Sequence, residues 1–116
     1  ITNAYITFQA YTNGSGNASI TIRGQDEGTP GAFSTDNGDI SDRNRTSASV
    51  SWSITNDWAT GASYSTPNLA AIVQEIVDRG DWETNQNMVV TLTGSGSRSV
   101  RSHDYGDGNS GPVLVI

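Results

Sequence analysis

The chain contains no cysteine and no lysine, and it has one histidine, one methionine and three prolines. The absence of cysteine excludes disulfides, thiolate nucleophiles and thiolate-type zinc sites together. With a single histidine, the nitrogen ligands that zinc would otherwise use are lacking as well. The absence of lysine leaves all positive side-chain charge on six arginines, set against twelve acids for a net charge of −6. That balance excludes the electropositive footprint that DNA or RNA binding needs. No run of 18 apolar residues exists, so no membrane insertion is expected. Leu, Ala and Glu are too sparse for a helical bundle.

What fills the chain instead is Ser, Thr, Asn and Gly, which take 51 of its 116 positions, while hydrophobic residues make up 34 %. Such a mixture suits short strands joined by many turns. Its length is that of a single domain, large enough to bury roughly two-thirds of its unfolded-chain surface. The chain opens at Ile1 directly in an alternating segment and closes at Ile116 in an apolar run. Both ends therefore read as cut from a longer polypeptide or processed, and residues 1–116 as one module of a multidomain protein.

Period-two alternation marks the strands. From Ile1 to Tyr11, Ala4, Ile6, Phe8 and Ala10 oppose Tyr5, Thr7, Gln9 and Tyr11. From Ala18 to Gln25, Ile20 and Ile22 oppose Ser19, Thr21, Arg23 and Gln25. The Asn13–Asn17 turn between the two predicts an antiparallel pair. Ala48 to Ile54 is a third strand, with Trp52 in phase with Val50 and Ile54 and hence in the core. Met88 to Thr93, a weaker Arg98 to His103 and Pro112 to Ile116 follow. Asp26 to Arg45 and Asn56 to Ser65 read as long loops. One helix is predicted over 66–79, with Thr66 as N-cap, Pro67 at the first helical position and Gly80 after the last turn. Leu69, Ile72, Val73, Ile76 and Val77 form its apolar stripe. Trp82 is expected to fold back onto the helix end. The expected fold is all-β, a two-sheet sandwich of the jelly-roll kind with one short inserted helix.

Catalytic constellations are few. Asp107 to Pro112 superficially resembles the nucleophile segment of trypsin-like proteases, but the residue order differs and 116 residues cannot build two barrels. Asp26 and Glu27 are sequence neighbours whose side chains diverge, unlike the facing carboxylates of glycoside hydrolases. The chain is therefore not expected to be an enzyme. Calcium is the one cofactor the sequence suggests. Asp26-Glu27, Asp36-Asn37-Gly38-Asp39 and Asp104-Tyr105-Gly106-Asp107 place hard oxygen ligands on Gly-rich loops, with Asp26, Asp104 and Asp107 as candidate ligands. The same segments also read as turns stabilised by Asx chemistry.

The set with most recognition potential combines Arg, amide and aromatic groups. Planar polar groups hydrogen-bond adjacent sugar hydroxyls, aromatic rings stack under apolar C–H faces, and an Arg fork adds carboxylate or sulfate recognition. Arg23, Gln25, Arg45, Arg101 and His103 are expected to converge on one patch, with Trp58 or Tyr105 as stacking partners. Surface salt bridges between these arginines and the many Asp residues are the competing reading.

The segments Ile1-Thr-Asn-Ala-Tyr-Ile-Thr-Phe, Ser19-Ile-Thr-Ile-Arg-Gly, Val50-Ser-Trp52, Thr66-Pro-Asn-Leu, Ile72-Val-Gln-Glu-Ile-Val with Gly80-Asp-Trp82, and Pro112-Val-Leu-Val resemble bacterial extracellular β-sandwich modules. These are the DNRLRE-type domains and their carbohydrate-binding relatives; the motif that names the group does not occur here. The resemblance runs over nearly the whole chain. It implies a monomeric, non-catalytic, extracellular module that binds polysaccharide beside a catalytic domain of the same polypeptide, some relatives recognising acidic algal polymers such as alginate. The alternative is a structural or adhesive spacer of a large surface protein, without a sugar site.

Overall fold

Strands whose apolar residues alternate must bury one face, and the pairing registers decide which faces meet. A computed structural model of the chain describes residues 1–39, 43–83, 86–106 and 108–116. It contains β1 (Tyr5–Gln9), β2 (Ala18–Gly24), β3 (Val50–Ile54), β4 (Ser63–Ser65), α1 (Ala70–Val77), β5 (Val90–Ser95) and β6 (Val113–Val115). Two three-stranded antiparallel sheets result, one ordered β4-β1-β6 and the other β3-β2-β5. The fold is all-β and sandwich-like, as the composition indicated.

The registers sort every strand residue to one face. In the first sheet Ile6 stands opposite Leu114 and Phe8 opposite Tyr64, whereas Thr7 stands between Ser65 and Val113. In the second, Ile20 lies between Trp52 and Gly94, and Ile22 between Val50 and Leu92. The apolar rows face each other: Ala4, Ile6, Phe8, Ile22 and the helix residues Leu69, Ile72, Val73 and Ile76 form one core, with Ala10, Ala18, Ile54 and Trp58 continuing it. Aromatic rings bridge the sheets, Phe8 lying over Trp52 at 6.1 Å, Trp52 against Trp58 at 6.0 Å, and Trp58 stacked on Tyr64 at 4.3 Å. Trp82 packs against the core beside the helix, as expected.

The expected β1–β2 pair does not form. The two strands belong to different sheets, and residues 10–17 cross between them, with Ala10 N–H bonded to Ala62 O and Gly14 paired with Trp58. Two strands that each need to bury an apolar face do so better across a core than side by side. The predicted loop at 56–65 also contains β4, whose Ser-Tyr-Ser sequence is too short to display a period. The weak 98–103 strand is reduced to a single bridge, Ala10 to Val100.

The helix is shorter than predicted. Thr66 does not cap it, because its hydroxyl accepts a hydrogen bond from Ile6 N and ties the chain to β1 instead. Asn68 Oδ1 accepts from Ala70 N and from Ala4 N, and the helix runs from Ala70 to Val77, ahead of Gly80. It sits against β2 where Gly24 leaves room: a Cβ there would lie 2.6 Å from Ile76 Cδ1. Glu75 anchors its outer side by accepting from the backbone N–H of Ser47 and Ala48 at 2.8 and 2.9 Å.

Gly94 is the tightest backbone approach in the second sheet. Its φ is 155°, and a Cβ would fall 1.9 Å from Ser19 O. Gly94→Ala is expected to destabilise the fold by more than about 2 kcal/mol, because β2 and β5 must separate. Ser95→Ala, at an exposed neighbouring position, should change stability by less than about 0.5 kcal/mol. Urea denaturation of the two variants checks the contrast; equal midpoints would contradict it.

Candidate functional site

Six guanidinium groups carry all the side-chain positive charge, so their partners decide where the surface can bind anything. Four are tied into the fold. Arg43 donates to Gly31 O, Ala32 O and Gln25 Oε1 at 2.7, 2.8 and 2.9 Å, pairs with Asp39, and lies 4.6 Å over the Phe33 ring. Arg79 bridges Asp26 and Asp81 at 2.9 and 2.8 Å. Arg98 donates to the carbonyls of Ser15, Gly16, Asn56 and Ser97 and covers Trp58. Arg101 donates through Nη1 to Gln9 Oε1 at 3.1 Å and lies 4.6 Å over the Tyr105 ring.

Arg101 differs from the other three in making, among the described residues, no side-chain bond to a backbone carbonyl or a carboxylate: its side chain meets an amide and a ring. The bridge at Ala10 and Val100 puts Arg101 beside Gln9 on the outward face of the first sheet, with Arg101 N bonded to Gln9 O. Tyr11 continues that face and meets Tyr105 edge-on at 5.8 Å. Tyr11 is 53 % exposed and Tyr105 38 %. Gln9, Tyr11, Arg101 and Tyr105 thus form a contiguous amide, guanidinium and aromatic patch at one end of β1. Thr7, Ser63 and Ser65 extend it as a hydroxyl row along the same face. The sequence reading placed Arg101 and Tyr105 in the site but passed over Gln9 and Tyr11, although both belong to the alternating polar row of the first strand.

His103 lies exposed on the turn between Arg101 and Tyr105. Its backbone packs on Gly111, and it borders a shallow hollow with Pro112 and Val113 at the rim of this face. Of the expected set, Arg101 and Tyr105 are in contact, and His103 lies on the turn between them without a side-chain contact to either among the described residues. Arg23 and Arg45 are not with them: they stand on the outward face of the second sheet, the opposite side of the sandwich. Comparison with family models, with curated proteins and with solved structures finds no match. The reading of the site rests on its own geometry.

That second face is lined by Ser19, Thr21, Ser51, Ser53, Thr91, Thr93 and Ser95, with Arg23 and Arg45 as its charged strand-side groups. The segment 34–39 overhangs it, leaving a cleft of about 390 Å³ between Ser34, Thr35, Asp36 and Asp39 above and Arg45 and Thr93 below. Gln25, paired with Arg45, is only 3 % exposed, because Arg43 and the 31–33 segment cover it. It supports Arg43 and is withdrawn from the surface. Trp58 is 4 % exposed and stacked on Tyr64, so it belongs to the core and not to an exposed stacking platform. The physical reason is that the 56–65 segment pairs with Gly14 and β1 rather than projecting as a free loop.

Of the candidate calcium ligands, Asp26 is held by Arg79 and Asp104 is exposed beside His103, while Asp107 lies outside the described residues. Among the described residues no three of His, Asp and Glu converge as a metal site would require. A further cleft of about 370 Å³ enters between the sheets, lined by Phe8, Ile20, Trp52, Leu92 and Val100. Its inner walls are mainly apolar, and Thr93, Ser95, Ser97 and Arg98 stand among its lining residues.

Two loop carboxylates are tuned by these contacts. The Ser34 backbone N–H, reinforced by Arg43, holds the Asp39 carboxyl below the usual carboxylate range. Hydrogen bonds from Arg79 do the same for Asp81, and Asp81 together with Asp26 raises the Arg79 guanidinium in return. Both acids bind protons less tightly folded than unfolded. Their stabilisation is therefore complete above the unfolded value of about 4 and is lost as pH falls through the lowered folded values. A thermal-melt series is expected to hold its midpoint from pH 7 to about 5 and to fall below about 4. Asp39→Asn with Asp81→Asn should flatten that fall; an unchanged profile in the double variant would count against these assignments.

Proposed function

We propose that this chain is a non-catalytic polysaccharide-binding module, with its sugar platform on the outward face of the first sheet. The observation that carries the reading is the convergence of Gln9, Tyr11, Arg101 and Tyr105 on one open sheet face. Tyrosine offers an apolar ring with a polar edge at low conformational cost, which suits the mixed surface of a sugar ring. The Arg101 cation over Tyr105 fixes that ring, and Gln9 Oε1 fixes the guanidinium, so both groups are pre-organised before a ligand arrives. The Arg101 Nη2 donors and the Gln9 amide N–H donors remain to meet adjacent hydroxyls. A face open along the sheet suits a chain that passes over it, in contrast to the enclosed pockets that capture small molecules.

In this reading the module acts outside the cell as a monomer, alongside a catalytic domain of the same polypeptide. It keeps that domain at high effective concentration on an insoluble polymer, which raises its turnover there without any chemistry in the module itself. Affinity electrophoresis against agarose, carrageenan, alginate, xylan and β-glucan is the test. At least one polymer should retard the chain. Tyr105→Ala and Arg101→Gln should each weaken that retardation by roughly tenfold in affinity, which corresponds to about 1.4 kcal/mol. Free migration on every polymer would overturn the reading and favour a spacer role.

A further inference from the structure

Arg23 and Arg45 stand out in a chain whose other guanidinium groups are each tied down. Among the described residues neither makes a side-chain hydrogen bond or an ion pair; Arg45 Nε is buried without a partner, as are Arg98 Nε and Arg101 Nε. They are also neighbours. Gln25 pairs with Arg45 across the strands and Arg23 precedes it by two residues on the same face, so the two arginines are diagonal cross-strand partners. Backbones in that relation lie roughly 7–8 Å apart, within reach of two long side chains, and like charges so placed repel. Among the described residues no carboxylate pairs with either arginine.

The cleft between the 34–39 segment and this face gives the pair a use. Arg45 and Thr93 line it from opposite sides of β2; Arg23 does not line it and stands outside it on the open face of β2, diagonal to Arg45. Asp39, above, is neutralised by Arg43, which leaves Asp36 as the carboxylate of the roof. Below, the cleft presents the Arg45 guanidinium and the Thr93 hydroxyl, and the free arginine pair lies at its open edge toward β2.

We infer that the open face at the edge of this cleft holds a sulfate ester carried on a sugar chain, gripped between Arg23 and Arg45 with the Thr93 hydroxyl. The inference rests on the polysaccharide-binding reading and adds a second contact on the opposite side of the sandwich. A planar carboxylate is matched by one guanidinium fork. Two forks from diagonal positions and a hydroxyl from a third strand approach from different directions, which suits the three free oxygens of a tetrahedral sulfate. Guanidinium is weakly hydrated and loses little on meeting such a group. Asp36 sets the orientation: sugar hydroxyls donate toward the roof while the ester points at the arginine pair. Sulfates spaced along a glycan also demand less total positive charge than a nucleic acid duplex, so a net charge of −6 does not exclude them.

The test is calorimetric titration with carrageenan oligosaccharides, with the same oligosaccharides after desulfation, and with alginate oligosaccharides, on the whole chain and on Arg23→Gln, Arg45→Gln and Tyr105→Ala. Neither arginine is bonded within the fold, so both variants should melt within a few degrees of the parent. The parent should prefer the sulfated form by at least roughly tenfold, a preference that shrinks with added salt. Arg23→Gln and Arg45→Gln should each abolish it, whereas Tyr105→Ala should weaken both galactans alike. Equal binding of sulfated and desulfated forms, or a preference that survives both arginine variants, overturns the sulfate site and leaves the sugar platform standing. Alginate bound more tightly than the sulfated galactan, and released by the arginine variants, also overturns it in favour of a uronate. No binding to any of the three overturns the sulfate site, while the sugar platform falls only if the wider polymer panel also fails to retard the chain.

Discussion

Two sheets that share no strand can be held only by what lies between them, and here that is a line of rings. Phe8 of β1 meets Trp52 of β3, Trp52 meets Trp58, and Trp58 stacks on Tyr64 of β4, so the contact leaves the first sheet, enters the second and returns. Aromatic side chains bury more area per residue than any others, which matters in a chain whose hydrophobic share is low. Helix α1 completes the interior by filling the space over Gly24, where a side chain would collide with Ile72 and Ile76. With most apolar residues spent inward, the strands' other faces are rich in Ser, Thr, Gln and Arg, with Tyr5, Val113 and Val115 at one end of the first sheet.

Arginine without lysine makes sense on such a scaffold. Long irregular segments expose many carbonyls, and each needs a donor or water. A guanidinium supplies five donors in a rigid fork, so one side chain can gather several carbonyls, as Arg98 gathers four and Arg43 joins two carbonyls to an amide and a carboxylate. An ammonium group on a flexible stem would hold the same loops less firmly. The arginines outside this structural duty are the informative ones. Arg101 is braced by an amide and a ring on an open surface, and Arg23 with Arg45 are left unbraced beside a cleft.

The sequence carried the strands well wherever alternation lasted five residues or more, as in Tyr5–Gln9 and Ala18–Gly24, and it carried the helix stripe from Leu69 to Ile76. It did not carry partner choice. Ile6 and Phe8 of β1 alternate with the same period as Ile20 and Ile22 of β2, and period alone does not distinguish strands that lie side by side from strands that face each other across a core. Thr66 misled for a related reason: its hydroxyl is a good N-cap locally, but Ile6 N lies within reach only in the folded chain. Trp58 is the same lesson at the site. Flanked by Asp57 and Ala59 it reads as a loop residue, and only the long-range pairing with Gly14 shows it to be core. In the site itself, residues close in sequence (Arg101, His103, Tyr105) stayed together, while those separated by a sheet crossing did not.

The separation has a mechanical consequence. Sites on opposite outward faces are held apart by the full thickness of the sandwich, and two packed sheets alone set that spacing at about 10 Å before side chains are added. A single flat ligand cannot reach both. Under the proposed polysaccharide-binding reading, a polymer chain on the first face would leave the second open to a neighbouring chain, so the module would sit between strands of a polymer network rather than enclose one of them. Binding at one face would then raise the effective concentration of neighbouring polymer at the other, and the two contacts would reinforce each other without any conformational change in the core that separates them.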